Sequence, residues 1–169
     1  MIIGAPGSGK STLARKLGVR TGLPVVHIDL IHWMPGWEER PKADKIAMIR
    51  PLEEQEDWII EGGLSATYDT RLARADTLIW LDMPIALRLY RVIRRLMVTY
   101  GKNRPDLPEG CPEVLGWHTW EFLVYILRTR GPNRRRMRVR HGAFADAGRT
   151  ALHFNSRKGV EAWLDALDP

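Results

Sequence analysis

The chain opens with Met1-Ile2-Ile3-Gly4-Ala5-Pro6-Gly7-Ser8-Gly9-Lys10-Ser11-Thr12, and this stretch decides the fold. Residues Gly4–Ser11 match the pattern G-x-x-x-x-G-K-[ST] at every fixed position. An apolar strand precedes the pattern and an amphipathic helix follows it, which is the context that the pattern requires. The sequence therefore predicts a phosphate-binding loop between the first strand and the first helix.

Each residue type in this loop has a chemical role. Glycines let the backbone pass close to phosphate oxygens with its N–H groups pointing inward, and the helix N-terminus adds a positive dipole end. Lys10 is expected to reach the β- and γ-phosphates, and the Ser11 hydroxyl to bind Mg²⁺. We therefore predict ATP and Mg²⁺ as cofactors. The predicted nucleotide-binding residues in the loop are Gly4, Ala5, Pro6, Gly7, Ser8, Gly9, Lys10, Ser11 and Thr12.

Five apolar runs further predict a parallel sheet with helices on both faces, because segments long enough for helices separate them. The predicted strands are Met1–Ile3, Pro24–Ile28, Trp58–Glu61, Thr77–Asp82 and Thr150–Asn155. The fold class is thus a three-layer α/β/α P-loop NTPase, as one domain over residues 1–169. Three residues precede Gly4, so the first strand is either unusually short or begins upstream of Met1.

The gap between the fourth and fifth strands predicts a helical insertion, which we interpret as a lid over residues 84–140. Tyr100–Pro112 is rich in glycine and proline and predicts an irregular segment. Predicted helices run over Lys10 to about Arg20, Lys42–Asp57 (broken or kinked at Pro51), a segment starting near Pro84, Glu113–Thr129, and a C-terminal segment around Val160–Leu167.

Acidic residues end three of the predicted strands, and strand ends of a parallel sheet meet at one edge. Asp29 and Glu61 are, with Ser11, the predicted metal ligands. Asp29 is also a predicted catalytic residue that orients or deprotonates an acceptor hydroxyl, or positions a metal-bound water. Asp82 is either a third ligand or the N-cap of the helix near Pro84.

Arginines are the candidate groups for neutralising charge on the transferred phosphate. On a helix starting near Pro84, Arg88 and Arg91 share one face, and we predict that both approach the nucleotide as catalytic residues. The alternative is a solvated basic face. Arg71 and Arg74 are candidates for the acceptor side instead.

Composition limits the remaining possibilities. The single cysteine, Cys111, excludes an internal disulfide, and with no bilayer-length apolar run we expect a cytoplasmic protein without membrane contact. The net charge of +6 fits a polyanionic ligand or ordinary solubility. The cluster Arg134–Arg136 is a lid tip, a nucleic-acid patch or a solvated loop. A monomer or a homodimer is expected.

These motifs, in this order, resemble the adenylate-kinase-like P-loop family known as DNA topology modulation proteins (FlaR-type). The resemblance covers nearly the whole chain. It is carried by Gly4–Thr12, His27-Ile28-Asp29, Trp33-Met34-Pro35-Gly36-Trp37, Trp58–Gly62, Arg71-Leu72, Ala75–Thr77, Leu81-Asp82, Arg104-Pro105-Asp106 and Glu109-Gly110-Cys111-Pro112.

The resemblance implies a nucleoside-monophosphate-kinase-like fold with a five-stranded sheet ordered 2-3-1-4-5. It implies that Asn155–Lys158, including Arg157, passes the adenine ring, and that Asp29 and Trp33–Trp37 lie on the acceptor side. Trp33 and Trp37 either stack on a ring or cover a turn. The chain departs from adenylate kinases at Glu61–Ser65, where it lacks their acceptor-phosphate arginine, which argues against AMP.

Three functions follow from these observations. The leading hypothesis is a kinase that moves the γ-phosphoryl of Mg-ATP to a small acceptor, a nucleotide or nucleoside. The second is an ATPase that binds nucleic acid through its arginines and influences DNA topology. The third is an ATP sensor without chemistry.

Overall fold

The structure, a computed structural model, describes residues 1–167 apart from the side chain of His118. Strands and helices alternate along the chain. The strands are β1 (Ile2–Gly4), β2 (Val25–His27), β3 (Trp33–Met34), β4 (Glu38–Glu39), β5 (Ile59–Glu61), β6 (Thr77–Leu81) and β7 (Thr150–Phe154). The helices are α1 (Lys10–Thr21), α2 (Ile28–His32), α3 (Lys42–Glu53), α4 (Tyr68–Arg74), α5 (Ile85–Val98), α6 (Trp117–Asp146) and α7 (Arg157–Asp165), with a 3-10 turn at Ser65–Thr67.

Five strands form a parallel sheet in the order β2-β5-β1-β6-β7. The predicted order, 2-3-1-4-5, therefore needs a correction in its strand numbers. The sequence analysis missed the small antiparallel hairpin β3–β4, so every later strand has a number higher by two. The sheet itself is built from the five predicted segments. Their neighbours in the sheet are the expected ones.

Helices cover both faces of the sheet, as the apolar strands predict. Alternate strand residues point to opposite faces. Ile2, Ile79 and Leu81 pack with α1 and α7 on one face. Ile3 and Trp80 pack with α4 and the far end of α6 on the other. The result is the predicted α/β/α arrangement.

Several predicted boundaries were wrong. Ile28 begins α2 instead of ending β2, so Asp29 lies in the first turn of a helix. The helix predicted at Glu113–Thr129 is α6, which starts at Trp117 and continues to Asp146 through Pro132. Packing of its second half against the sheet, through Phe144, outweighs the local cost of the proline.

The extension of α6 places Arg134–Arg136 within a helix, which rules out a loop there. α3 ends at Glu53, with Pro51 inside its last turn. No helix within residues 1–167 combines the length and apolarity needed to cross a membrane.

Arg71 and Arg74 turned out to be structural, which corrects the suggestion that they face the acceptor. The fully buried Arg71 donates from Nε to the Thr67 carbonyl (3.2 Å) and hydroxyl (3.0 Å) and from Nη2 to the Leu64 carbonyl (3.0 Å). Arg74 donates to carbonyls at the C-terminal end of α3, including that of Glu54 at 2.9 Å. Both arginines therefore hold backbone, and Arg71 fixes the loop that follows β5.

We expect Arg71→Met to lower the free energy of unfolding by about 3 kcal/mol, because it leaves several buried carbonyls without a donor. Arg74→Met is the matched control: the residue is exposed, so water can replace the donor it loses, and a loss of roughly 1 kcal/mol or less is expected. Urea unfolding followed by tryptophan fluorescence measures both. Equal losses in the two variants would contradict the structural role given to Arg71.

Candidate active site

The loop between β1 and α1 has the backbone geometry of a phosphate cradle. Gly7 and Gly9 adopt left-handed φ angles of 76° and 96°, and Gly4 has φ 157°. A Cβ atom on Gly7 would lie 2.5 Å from the Arg88 carbonyl oxygen, and one on Gly4 would lie 2.8 Å from the Leu81 carbonyl oxygen. The loop is therefore pressed against α5 and β6 so closely that only glycine fits at these two positions.

Two polar groups of the loop make few or no hydrogen bonds within the described part of the chain. The buried Ser8 hydroxyl has no hydrogen-bond partner within the described part of the chain. The Lys10 ammonium contacts only weakly the loop's own Ala5 carbonyl, at 3.5 Å. Donors held in this way at a helix N-terminus fit the phosphate oxygens of a nucleotide.

Glu61 stands beside this loop at the end of β5. Its side chain is almost fully buried, and its Oε1 lies 2.7 Å from Nδ1 of His27, at the end of the neighbouring strand β2. Burial raises the pKa of Glu61, but the hydrogen bonds from His27 and Ser11 and the charge of Lys10 outweigh burial and lower it. Glu61 therefore stays ionised next to the Ser11 hydroxyl, as a metal-binding carboxylate must.

Asp29 faces the same region from the first turn of α2. Burial raises its pKa, Lys10 lowers it and Glu61 raises it further, with a net shift upward. The charge of Arg104 also lowers the pKa of Asp29, and that of Asp106 raises it. A carboxyl group with a raised pKa is suited to accept a proton.

The residues present fit a bound Mg²⁺. Ser11 and Glu61 form a hydrogen bond with each other, and both stay predicted oxygen ligands, as does Asp29. Within residues 1–167 no group of three or more His, Cys, Asp or Glu side chains forms a closed metal site. Magnesium bound here would therefore take most of its ligands from phosphate oxygens and water, which is how nucleotide sites usually hold it.

Arg88 and Arg91 contact the loop directly. Arg88 Nε donates to the Pro6 carbonyl at 2.9 Å, and Arg91 Nη1 donates to the Ser8 carbonyl at 3.1 Å. The alternative of a solvated basic face is therefore wrong for these two residues, because both guanidinium groups donate to the phosphate loop from the side of α5. Their predicted contact with the transferred phosphate stays a prediction.

Arg91 also lines a cleft between α5 and α7 of about 590 Å³. Arg157 lies at its far side, at the start of α7, and pairs with Glu161 at 2.6 Å. Tyr90 and Arg94 complete the α5 wall. The cleft thus lies along α5, between Arg91, which contacts the phosphate loop, and Arg157, which belongs to the predicted adenine contact.

Asp82 forms an ion pair with α6 and does not cap α5. Its carboxylate accepts two hydrogen bonds from Arg134 Nε, at 2.8 and 3.0 Å, and approaches His153 Nε2 at 3.4 Å. The N-cap of α5 is Pro84, which has no capping side chain. Asp82 therefore ties the middle of α6 to the end of the sheet, and it explains the position of Arg134.

The sequence analysis missed the contacts between the segment after α2 and the segment after α5. We call residues 99–116 the lid segment and residues 33–39 the cap hairpin. The hairpin contacts the segment through Gly36 N–H to the Gly110 carbonyl and Trp37 Nε1 to the Pro112 carbonyl, both at 2.8 Å. Trp33 packs edge-on against Trp37 at 5.4 Å, so the two tryptophans cover a turn.

The lid segment also carries a buried ionic network that sequence spacing did not reveal. Arg104 Nη1 donates to Glu113 at 2.7 Å and Nη2 to Asp106 at 2.8 Å. Arg95 of α5 lies 3.3 Å from the same Glu113 oxygen. The signal in the sequence was the pairing of Arg104 with Asp106 two residues later, within a segment otherwise rich in glycine and proline.

Comparison with known proteins gives one relative and several similar structures. No family model matches the chain. The uncharacterized protein YqaC of Bacillus subtilis (strain 168) is 30% identical over 107 residues, which are 60% of this chain and 58% of that protein. The chain therefore spans just over half the length of this relative.

The solved structures that resemble this one include shikimate kinases. That of Acinetobacter baumannii, in complex with shikimate, has a TM-score of 0.56 at 16% identity, covering 97% of this chain and 89% of that one. That of Bacteroides thetaiotaomicron has a TM-score of 0.51 at 16% identity, covering 97% and 92%. The chain therefore has a P-loop kinase-like fold, while the DNA topology modulation family stays a prediction.

Gly7→Ala is expected to abolish or strongly weaken ATP binding, because the added methyl group meets the Arg88 carbonyl and the left-handed φ is strained. Gly142→Ala, on α6 where the new methyl group meets no atom within 4 Å, is the control and should bind ATP like the wild type. Calorimetric titration with ATP and Mg²⁺ measures both. Wild-type affinity in Gly7→Ala would refute this account of the loop.

Proposed function

We propose that the protein is a kinase that transfers the γ-phosphoryl group of Mg-ATP to a hydroxyl group of a small acceptor. One observation carries the proposal. Lys10, Ser11, Glu61 and Asp29 converge beside a glycine cradle that Arg88 and Arg91 hold from the opposite side. Groups that donate hydrogen bonds to phosphate, oxygens that can bind a metal and a carboxylate that can accept a proton thus lie within one site. Phosphoryl transfer requires all three.

The nucleotide side uses the phosphate loop and the cleft beside α5. Loop amides and the Lys10 ammonium bind the β- and γ-phosphates, and the base lies toward Arg157. Ser11 and Glu61 hold the Mg²⁺, which supplies neutralisation of phosphate charge when bound. Arg88 and Arg91, already within hydrogen-bond distance of the loop, add positive charge from the side of α5.

The transfer itself relies on Asp29. The acceptor oxygen forms a bond to the γ-phosphorus as the bond from that phosphorus to the β,γ-bridging oxygen breaks. ADP leaves with the electron pair, and the hydroxyl proton passes to the Asp29 carboxylate. The raised pKa of Asp29 favours this proton transfer, and its partial exposure leaves the carboxylate accessible.

A small-molecule acceptor is supported by the fold and by the enclosure of the site. The similar structures are small-molecule kinases, and one of them was solved with shikimate bound. In this chain the cap hairpin is hydrogen-bonded to the lid segment, whose Arg104 and Asp106 shift the pKa of Asp29, and such a cover suits a compact acceptor. We include the lid segment in a lid formed by residues 84–140, as the sequence predicts.

A nucleic-acid-binding ATPase is the second candidate, and it matches the DNA topology modulation resemblance. The observation that favours it is the set of exposed arginines along α6: Arg128, Arg130, Arg135, Arg136 and Arg138. A DNA affinity that falls steeply with salt concentration would favour this candidate. ATP-dependent phosphorylation of a small acceptor without DNA favours the kinase.

Lys10→Ala is expected to abolish ATP-dependent phosphoryl transfer and to weaken ATP binding by about two orders of magnitude, because the phosphates lose a direct positive charge. Lys16→Ala, an exposed lysine one and a half turns further along α1, is the charge-matched control. Acceptor phosphorylation with labelled ATP, together with ATP titration, measures both. Wild-type turnover in Lys10→Ala would exclude the proposed nucleotide site.

Asp29→Asn is expected to lower kcat by roughly 10²- to 10⁴-fold while ATP affinity changes little, because the amide cannot accept the proton. Asp44→Asn, on an exposed turn of α3, serves as the control. Single-turnover transfer to the best acceptor separates chemistry from binding. An unchanged kcat in Asp29→Asn would remove this residue from the mechanism.

A further inference from the structure

The first half of α6 carries an exposed apolar stripe. Trp117, Trp120, Val124, Leu127 and Gly131 follow one another at alternating steps of three and four residues, so they lie along one face of the helix. Trp117, Trp120 and Leu127 are 72%, 61% and 48% exposed. We call these five residues the α6 stripe. None of them is charged, although a helix face in contact with water usually carries charged side chains.

The fold buries a different face of the same helix. Phe122, Leu123 and Ile126 pack against Val92 and Leu96 of α5. This half of α6 is therefore apolar on two sides, and the contacts within residues 1–167 bury one of them. Large apolar side chains exposed side by side are typical of a surface that contacts another molecule.

The relief of this surface suits a second helix. Alternating steps of three and four residues are the spacing of apolar residues along the seam between two paired helices. Beside the stripe, a depression of about 280 Å³ is lined by Glu121, Val124, Tyr125, Arg128 and Thr129. The first four of these stand at i, i+3, i+4 and i+7, which is the arrangement that forms a hole for one side chain of a facing helix.

The stripe is also complementary to itself. Val124 is its middle residue, so a two-fold axis beside Val124 lays the stripe of a second copy against it in the opposite direction. Trp117 then faces Gly131 of the second copy at both ends of the contact. A Cβ atom added to Gly131 would meet no atom within 4 Å, so the space beside this glycine is open to an indole ring.

Charges at the edge of the stripe favour a second copy over other occupants. Glu121 accepts a hydrogen bond from Trp117 Nε1 at 2.9 Å, which holds the acid at this edge, and Arg128 lies two turns further along the same edge. The two-fold arrangement brings Glu121 of each copy to Arg128 of the other, so opposite charges meet twice. An anionic bilayer or a nucleic acid would be attracted by Arg128 but repelled by Glu121.

The exposed area approaches that of a stable interface. Before α6 the apolar surface continues through Leu115 and Val114, which are 59% and 46% exposed, to Tyr100, whose backbone pairs with that of Glu113. Together with the stripe these side chains expose roughly 700 Å², taking about 150–250 Å² for a whole aromatic side chain. A specific interface buries about 800 Å² on each partner.

We propose that two copies of this protein form a homodimer in which the two α6 stripes pack against each other in antiparallel directions. The proposal goes beyond the kinase function and uses none of the residues assigned to the nucleotide, the metal or the acceptor. Because the stripe pairs with itself, the contact closes as a dimer and does not extend into a chain of copies.

Sedimentation equilibrium of the wild-type protein over a series of concentrations tests the dimer. The monomer has a mass of 19.4 kDa, so a species of twice that mass is expected. Trp120→Glu places a charge within the stripe and should raise the Kd of the dimer by about 30-fold or more. Val139→Glu, at an exposed apolar residue of α6 outside the stripe, is the matched control and should dimerise like the wild type. A wild-type protein that stays monomeric at every concentration, or equal effects of the two substitutions, would overturn the proposal.

Charge reversal tests the antiparallel arrangement. Glu121→Arg and Arg128→Glu each bring like charges together, so each should raise the Kd of the dimer by about tenfold. The double variant brings opposite charges together again and should recover most of the wild-type affinity. A double variant that dimerises no better than the single ones would exclude this contact. If Trp120→Glu does not fold, as thermal unfolding will show, these three variants decide the question.

Two probes distinguish the other occupants of the stripe. Vesicles of phosphatidylglycerol stand for an anionic membrane, and a duplex oligonucleotide stands for a nucleic acid. A dimer whose Kd neither probe changes supports the proposal. Wild-type protein that is monomeric and binds either probe, with binding lost in Trp120→Glu, would assign the stripe to that partner and overturn the proposal.

Discussion

The contact between the glycine loop and the first turns of α5 is the constraint on which the site depends. Gly7 can approach the Arg88 carbonyl only because it has no side chain, and its left-handed backbone turns the chain into α1. Arg88 and Arg91 then donate back to the Pro6 and Ser8 carbonyls. These bonds occupy loop carbonyls, which would repel phosphate, and so leave the loop's N–H groups and Lys10 to determine its positive character.

The sheet supplies the rest of the site by its topology. β1 spans three residues but is paired on both sides, with β5 and β6, so its end is fixed despite its length. The end of β5 brings Glu61 beside the loop, and the end of β2 brings His27 into contact with Glu61. Parallel strands end at one edge, and for that reason residues far apart in sequence meet there.

Sequence reasoning succeeded where local pattern determines structure and missed what depends on distant contacts. The loop, the five sheet strands and the convergence of Lys10 with Asp29 and Glu61 follow from motif spacing and strand ends. The sequence around Arg71 does not distinguish a substrate-binding arginine from a structural one. Only the folded structure shows that Arg71 donates hydrogen bonds to the carbonyls of the loop after β5. The length of α6 was missed because packing of Phe144 overrides a proline that locally predicts an end.

Helix α5 connects the two halves of the site. Its first turns carry Arg88 and Arg91 onto the phosphate loop, and its last turn carries Arg95 to Glu113 of the lid segment. The helix is 14 residues long, so about 20 Å separates its two ends. The lid in turn contacts the cap hairpin through Gly110 and Pro112. One helix therefore joins the phosphate loop, the lid segment and, through the lid segment, the cap hairpin by direct contacts.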